Sequence, residues 1–363
     1  MSEALENMNQ NENKDNDVEY IAILADEYGL PNLNFVGVSD KGVSSHNVIM
    51  EAEDGRRFFV KQYKEDDAER RESSNLVERH VAANSSIPVV LPLETTDGVS
   101  QMYVGDKMYA VFPFQDHNDS LPEDQVEKKK QNYELAKTLG TIHSVSMDNL
   151  DERIDVIDRW NPGGVADLVA HLEMIEGTIR NKEELDDFDK KALKTISQRK
   201  EILGVLDGEG SVSVADAICH GDYHSQNVLF DNDYNVTGVI DWDICAKSDP
   251  YIDFLNTFKM TIIGRKYETY QEERKETAKA FIKGYLDGLA SDFDRDRLRN
   301  AAKTLTQVIA GSSWPLDEHY FMDYTKADGH LEKELDKAKF FSENADNIVE
   351  FIDSLLDKIE RGS

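Results

Sequence analysis

Apolar residues in the first third of the chain come in short runs separated by turn chemistry. In NFVGVSDKGVSSHNVIMEAEDGRRFFVKQY, residues 34–63, three such runs are divided by a Gly/Ser-rich break and by Glu-Asp-Gly. That pattern predicts a three-strand meander, with turns at Lys41–Ser45 and Glu53–Gly55. DDAERRESSNLVERHVAAN, residues 66–84, changes period: Leu76, Val77, His80 and Val81 recur at helical spacing. IPVVLPLETTDG (87–98) and KMYAVFPFQD (107–116) read as two further strands. Beyond Asp116 the pattern is helical. SLPEDQVEKKKQNYELAKTLGTIHSV starts on Ser-Leu-Pro and carries an apolar stripe through Leu135, Leu139 and Ile142. Further helices are expected over 164–181, 184–205, 251–264, 270–290, 295–312 and 331–360, with short strands between residues 218 and 245.

The order of elements predicts an α+β chain of two lobes. A small antiparallel β-sheet lobe with one helix covers 18–115, and a large, mostly α-helical lobe covers 116–363. Residues 1–17 read as a disordered acidic tail. Phe340, Phe341, Ile348, Phe351, Ile352 and Leu355 of the last helix are expected to close the lobe's own core, and no motif assigns an oligomeric state.

Charge narrows the partners. The 72 acidic residues outnumber the 41 basic ones, for a net charge of −31 that disfavours nucleic acid and anionic membranes. No apolar run approaches the roughly 20 residues that a membrane span needs. Cys219 and Cys245 read as reduced, buried thiols rather than a disulfide framework, so a cytoplasmic protein is expected.

The polar residues of ICHGDYHSQNVLFDNDYNVTGVIDWDIC, 218–245, are not explained by a core. Asp222 and Asn227 lie in a loop ahead of one apolar run, and Asp241 ends another. A loop followed by a hairpin would bring all three to one end of the sheet. One carboxylate and one amide oxygen form a hard-oxygen set suited to Mg²⁺. The remaining carboxylate is then able to accept a proton from an attacking hydroxyl, which is the division of labour in phosphoryl transfer to alcohols.

Such a site also needs a phosphate-binding half. Lys61 directly follows an apolar run, and Glu72 is the best-placed helix carboxylate to hold it, with Glu69 and Glu78 as rivals. DKGVSSHN offers a small loop for phosphates through Ser44, Ser45 and Asn47. The segment AVFPFQD, with Phe112 and Phe114, would take the adenine.

In this order the residues resemble the aminoglycoside phosphotransferase/choline kinase-like superfamily. The resemblance rests on His220-Gly221-Asp222, Asn227, Ile240-Asp241 and then Asp249-Pro250 with Asp253, and it extends loosely over residues 20–345. It implies a protein-kinase-like fold using ATP and Mg²⁺. By it Asp222 is the catalytic base, Asn227 and Asp241 bind the metal, and Lys61 contacts the phosphates with Glu72 positioning it. His220 and Asp253 would support the catalytic loop, and Asp243 is a second candidate near the metal. The acceptor is expected to be a small hydroxylated metabolite of the sugar, amino alcohol, homoserine or aminoglycoside class. Asp317 and Glu318, in SSWPLDEHYFMDY, are candidates to hold it. The alternatives are a protein Ser/Thr kinase of the stress response kinase A type and a nucleotide-binding regulatory pseudokinase. Against the latter, Lys61, Asp222, Asn227 and Asp241 are all present.

Overall fold

The computed structural model describes residues 20–39, 46–63, 68–118, 120–150, 154, 164–206, 214–264, 272–322 and 325–362. The expectations for the 1–17 tail, the turn at Lys41–Ser45, and Ser44 and Ser45 lie outside these residues. The chain divides into two compact units, one holding residues up to Arg79 with Val89–Asp116, the other His80–Pro88 with His117 onward.

The first unit is built on a five-stranded antiparallel sheet. Its strands are β1 (Leu33–Ser39), β2 (His46–Ala52), β3 (Arg57–Tyr63), β4 (Met102–Val104) and β5 (Lys107–Pro113), in the order β1-β2-β3-β5-β4. A helix over residues 20–27, α1, covers one face. Tyr20, Ile21, Leu24 and Tyr28 pack there against Val48, Met50, Phe58, Val60, Tyr109 and Val111. The second helix is α2 (Ala68–Asn84). The meander and α2 follow the sequence pattern, but three features depart from it. The helix α1 was not expected, although its apolar residues already fall at helical spacing. Residues 87–98 form no strand beyond an isolated bridge, because Pro88 and Pro92 lack the N–H a ladder requires. The fifth strand is instead β4, a short edge partner of β5.

The second unit is mainly helical. Helix α3 (Gln125–His143) begins later than the Ser-Leu-Pro signal suggests, because Asp124 caps it by accepting from the amides of Val126 and Glu127. Next come α4 (Val165–Arg180) and α5 (Asp187–Val205), the latter started by an Asp186/Asp189 capping box. Four short strands follow: β6 (Ala217–Cys219), β7 (Val228–Phe230), β8 (Val236–Val239) and β9 (Ala246–Ser248). They pair as β6-β9 and β7-β8. Helix α6 (Pro250–Phe258) runs into a π-helical turn at Lys259–Ile263. Then come α7 (Glu272–Gly288), α8 (Arg295–Gly311), α9 (Trp314–Phe321) and α10 (Leu331–Glu360). The α4, α5 and α8–α10 helices share a core that includes Ile175, Ile196, Ala310, Leu316 and Leu331. On α10, Phe341, Ile348, Ile352 and Leu355 are buried, so this helix closes the chain's own core as expected. Among the described residues no helix is long and apolar enough to cross a membrane.

Two contacts set the helix packing. Arg199 is fully buried, and its Nη1 donates to the carbonyls of Ile309 (2.9 Å) and Ala310 (2.8 Å), in the last turn of α8. A cation there faces the negative end of the helix dipole. Burial pulls the guanidinium down to about 10, so it stays charged at neutral pH. The α3 and α7 backbones touch where glycines remove side chains: a Cβ on Gly284 would lie 2.1 Å from the Tyr133 carbonyl oxygen, and one on Gly288 2.2 Å from that of Lys137.

We expect Gly284→Ala to lower stability by about 1–3 kcal/mol or more, since backbone cannot yield as a side chain does. Gly177→Ala, where nothing lies within 4 Å, should raise it by about 0.5–1 kcal/mol. Thermal unfolding of both variants checks the pair.

Candidate active site

In the first unit Lys61 lies in the middle of the sheet, opposite Asn47 on β2 and Ala110 on β5. It is only 8 % exposed, a rare state for an ammonium group. Strand alternation puts Phe59, Lys61 and Tyr63 on the face away from α1. The Arg71 guanidinium lies 4.0 Å from the centre of the Tyr63 ring, so α2 covers this same face. Glu78, two helical turns beyond Arg71, is 5 % exposed, whereas Glu72 is exposed. Asn47 is buried, and its Oδ1 has no hydrogen-bond partner among the described residues. Phe112 is paired with Phe59 across the ladder, which places both on the lysine face with Ile49 and Ala110. Ile49 and Phe59 were not expected here, although counting by twos from Asn47 and from Lys61 finds them. Phe114 is placed differently: its amide donates to the Arg57 carbonyl at 3.0 Å and its ring lies under the Arg57 guanidinium, which also pairs with Asp116.

In the second unit the β7-β8 hairpin does the positioning. Val228 faces Val239, so Asn227 and Asp241 flank the open end of the ladder. The Ile240 amide donates to the Asn227 carbonyl at 3.0 Å, and Asn227 Nδ2 donates to the Asp222 carbonyl at 2.8 Å. With its nitrogen committed to the Asp222 carbonyl, the Asn227 side chain has its oxygen as the atom that could face a cation. Asp241 is exposed and has φ 63°, a left-handed conformation that is uncommon for a residue with a Cβ. The Asp222 side chain is 44 % exposed, and His224 Nε2 stands 3.6 Å from its Oδ2, beyond hydrogen-bond reach.

His220 ties these pieces together. Its ring is fully buried; Nε2 donates to the Ile240 carbonyl at 2.9 Å, and Nδ1 faces the Asp222 amide at 3.4 Å. Burial lowers its pKa, against the opposing pull of Asp253, which keeps the ring neutral and able to accept at Nδ1. The His220 amide in turn donates to Asp253 Oδ2 at 2.9 Å. Asp253 sits on α6, whose first turn is fixed by the Asp249 cap and Pro250. Gly221 between them has φ 83°, and a Cβ there would lie 2.4 Å from the Ile244 carbonyl oxygen. The motif glycine is therefore a close approach between the Asp222 loop and the turn after Asp241.

A carboxylate and an amide oxygen on a rigid hairpin, beside a half-exposed carboxylate on a braced loop, are the parts that phosphoryl transfer requires. A sequence profile of the phosphotransferase enzyme family (APH) matches residues 38–300. The chain belongs to that family. It is a phosphotransferase, and the family's kinases act on hydroxyl groups. Its fold is shared with a spectinomycin phosphotransferase solved with ADP and spectinomycin, at 15 % identity and TM-score 0.55 over 93 % of this chain and 97 % of that one. The same holds for an amicoumacin kinase solved with AMP-PNP and Ca²⁺, at 14 % and 0.55 over 87 % and 88 %. A Plasmodium vivax ethanolamine kinase matches at 15 % and 0.55 over 84 % and 82 %. No curated protein matches the chain significantly by sequence.

The acceptor candidates of this phosphotransferase lie on α9. Asp317 Oδ1 is bonded to His171 Nε2 at 2.8 Å, and its Oδ2 accepts from the Ser313 hydroxyl at 2.6 Å. Asp317 thus ties α9 to α4, with both oxygens engaged inside the fold. Glu318 beside it is half-buried.

Gly221→Ala is expected to leave secondary structure intact while lowering phosphotransfer by about 10²-fold, the usual effect of a displacement near 1 Å. Circular dichroism and steady-state kinetics together check this.

Proposed function

We propose that the protein is an ATP- and Mg²⁺-dependent kinase that moves the γ-phosphate to a hydroxyl of a small metabolite, with Asp222 as general base. The observation that carries this reading is the clamp at the hairpin mouth, where Asn227 holds the Asp222 carbonyl at 2.8 Å and is itself held by the Ile240 amide at 3.0 Å. Those bonds fix the base, the amide ligand and the neighbour of the carboxylate ligand in one piece. The small-molecule acceptor is supported by the substrates named for the three structures above. Two free, buried cysteines suit a cytoplasmic protein.

Asn227 and Asp241 fit Mg²⁺ because they offer hard oxygens from a rigid turn while leaving room for waters and phosphate. When bound, the ion supplies charge neutralisation at the transferring phosphates. The acceptor hydroxyl donates its hydrogen bond to Asp222. As its oxygen forms a bond to the γ-phosphorus, the bond from that phosphorus to the β–γ bridging oxygen breaks, and the proton passes to the carboxylate. The products are a phosphate monoester and ADP. Lys61 holds nucleotide phosphates, Asn47 stands beside it, and Phe112 with Ile49 and Phe59 offers an apolar face to the adenine. We assign the carboxylate that orients Lys61 to Glu78 rather than Glu72, on the strength of its burial and its position in line with Arg71. Asp317 acts by holding α9, so contact with the acceptor falls to neighbours such as Glu318.

ATP turnover with Mg²⁺ should rise with one member of a panel of sugars, amino alcohols, homoserine and aminoglycosides. Asp222→Asn should lower that kcat by about 10²–10⁴-fold. Phosphorylation of a basic protein in the same panel, with no small molecule active, would replace this reading by a protein kinase. Separately, Glu78→Gln is expected to raise the KM for ATP about tenfold, a loss of about 1.4 kcal/mol. Glu72→Gln should change it less than about twofold, and a reversed order would return the role to Glu72.

A further inference from the structure

Behind the catalytic loop lies a second tier of buried polar groups that the reaction itself does not use. His143, the last residue of α3, has a fully buried side chain. Its Nε2 lies 3.2 Å from Asp253 Oδ2, and its Nδ1 lies 2.8 Å from the Tyr285 hydroxyl on α7. Asp253 Oδ2 is the same oxygen that accepts the His220 amide. The other oxygen, Oδ1, is buried with no hydrogen-bond partner among the described residues. The carboxylate is therefore oriented through one oxygen, and among the described residues His220 and His143 supply the hydrogen bonds that resist rotation about its Cβ–Cγ bond.

Which bond His143 can make depends on its tautomer. Burial raises the Tyr285 pKa well above its ordinary value, so the phenol keeps its proton. If that proton is donated to Nδ1, Nε2 carries the ring hydrogen and donates to Asp253. In the reverse tautomer the Nε2 lone pair would face a carboxylate oxygen at 3.2 Å, which is repulsive. The Tyr285 ring has no freedom to drift, because it follows Gly284 at the α3–α7 backbone contact and packs 4.4 Å from Phe254.

We propose that Tyr285 and His143 are positioning residues of the phosphotransfer reaction: the phenol selects the Nε2–H tautomer of His143, which fixes Asp253 and, through the His220 amide, the loop bearing Asp222. This rests on Asp222 being the base. The chain is buried from Tyr285 to His220, whose ring then reaches both the Asp222 amide and the Ile240 carbonyl. Cys219 is the third group here, its Sγ within 4.8 Å of the His143 and Asp253 donor atoms. In this assignment it is a neighbour, because both ring nitrogens of His143 are already engaged.

The test uses Tyr285→Phe, which keeps the ring and removes only the hydroxyl. Nitrogen-15 spectra of the histidine rings should show His143 of the wild type protonated at Nε2 alone, and a tautomer mixture in Tyr285→Phe. With Mg-ATP hydrolysis as the probe reaction, kcat should fall about tenfold while the KM for ATP stays within about twofold. In a His143→Gln background, where there is no tautomer to choose, adding Tyr285→Phe should cause no further loss in kcat. Such non-additivity is what a shared chain produces. An unchanged kcat in Tyr285→Phe, fully additive losses, or a doubly protonated His143 in the wild type would each overturn the proposal. So would a shift of the His143 signals on adding equimolar Zn²⁺, which would make the cluster a metal site. Failure of Asp222→Asn to lower turnover would instead remove the base assignment and leave the tautomer result standing.

Discussion

The Asp253 carboxylate is fully buried, and an ionised group in that position costs several kcal/mol unless bonds replace its water. Here the replacement comes from the backbone amide of His220, in the loop bearing Asp222, and from a histidine of another helix. The requirement runs both ways. The loop must come down onto α6 to satisfy the carboxylate, and once there it is held at a fixed height. Asp222, Asn227 and Asp241 are all placed by bonds that begin at that contact: His220 to Ile240, Ile240 to Asn227, and Asn227 to Asp222. Asn227 is buried and bonded to the Asp222 carbonyl, whereas the Asp222 side chain is half-exposed and Asp241 is exposed. The two carboxylates thus reach solvent from a backbone that buried neighbours position.

Backbone contacts supply the rest of the rigidity. At Gly221 the loop bearing Asp222 meets the turn after Asp241 with no side chain between, and at Gly284 and Gly288 helix α7 meets α3 in the same way. A backbone carbonyl cannot change rotamer, so each contact defines a distance more sharply than a pair of side chains would. Tyr223 adds a lateral tie, with its hydroxyl on the Leu135 carbonyl of α3 at 3.0 Å and its own carbonyl accepting from Thr257 of α6 at 3.0 Å. The loop is thus tied to α3 and α6 directly, and to α7 through His143.

The first unit handles a different problem, a lysine in the middle of a sheet. Lys61 has strands on both sides, and α2 lies over its face. A buried ammonium there must be matched by buried polar groups; Asn47 on β2 and Ser73, Ser74 and Glu78 on α2 lie at comparable depth, and of these Glu78 alone carries a carboxylate. The net charge of −31 contributes nothing to this arrangement. What matters locally is which carboxylate is buried: Glu78 is, and Glu72 is exposed.

Much of this was legible in the residues alone. Alternation and turn chemistry gave the meander, the helical period gave the long helices, and the spacing of His-Gly-Asp, Asn and Ile-Asp anticipated their meeting at one end of the hairpin. These are local properties, because a strand or a turn is specified by residues within a few positions of each other. The misreadings were also instructive: Pro88 and Pro92 ruled out a strand that apolar content had suggested. Sequence could not choose between Glu72 and Glu78, because both lie on one helix and only the packing of that helix shows which one is buried. Nor could it join His143, Asp253 and Tyr285, which lie more than 100 residues apart in two of the three pairs and meet only where α3, α6 and α7 converge. Chemistry carried by neighbours in the chain was determined by the sequence; orientation carried by long-range burial was decided by the tertiary structure, since desolvation depends on what packs around a group and not on what precedes it.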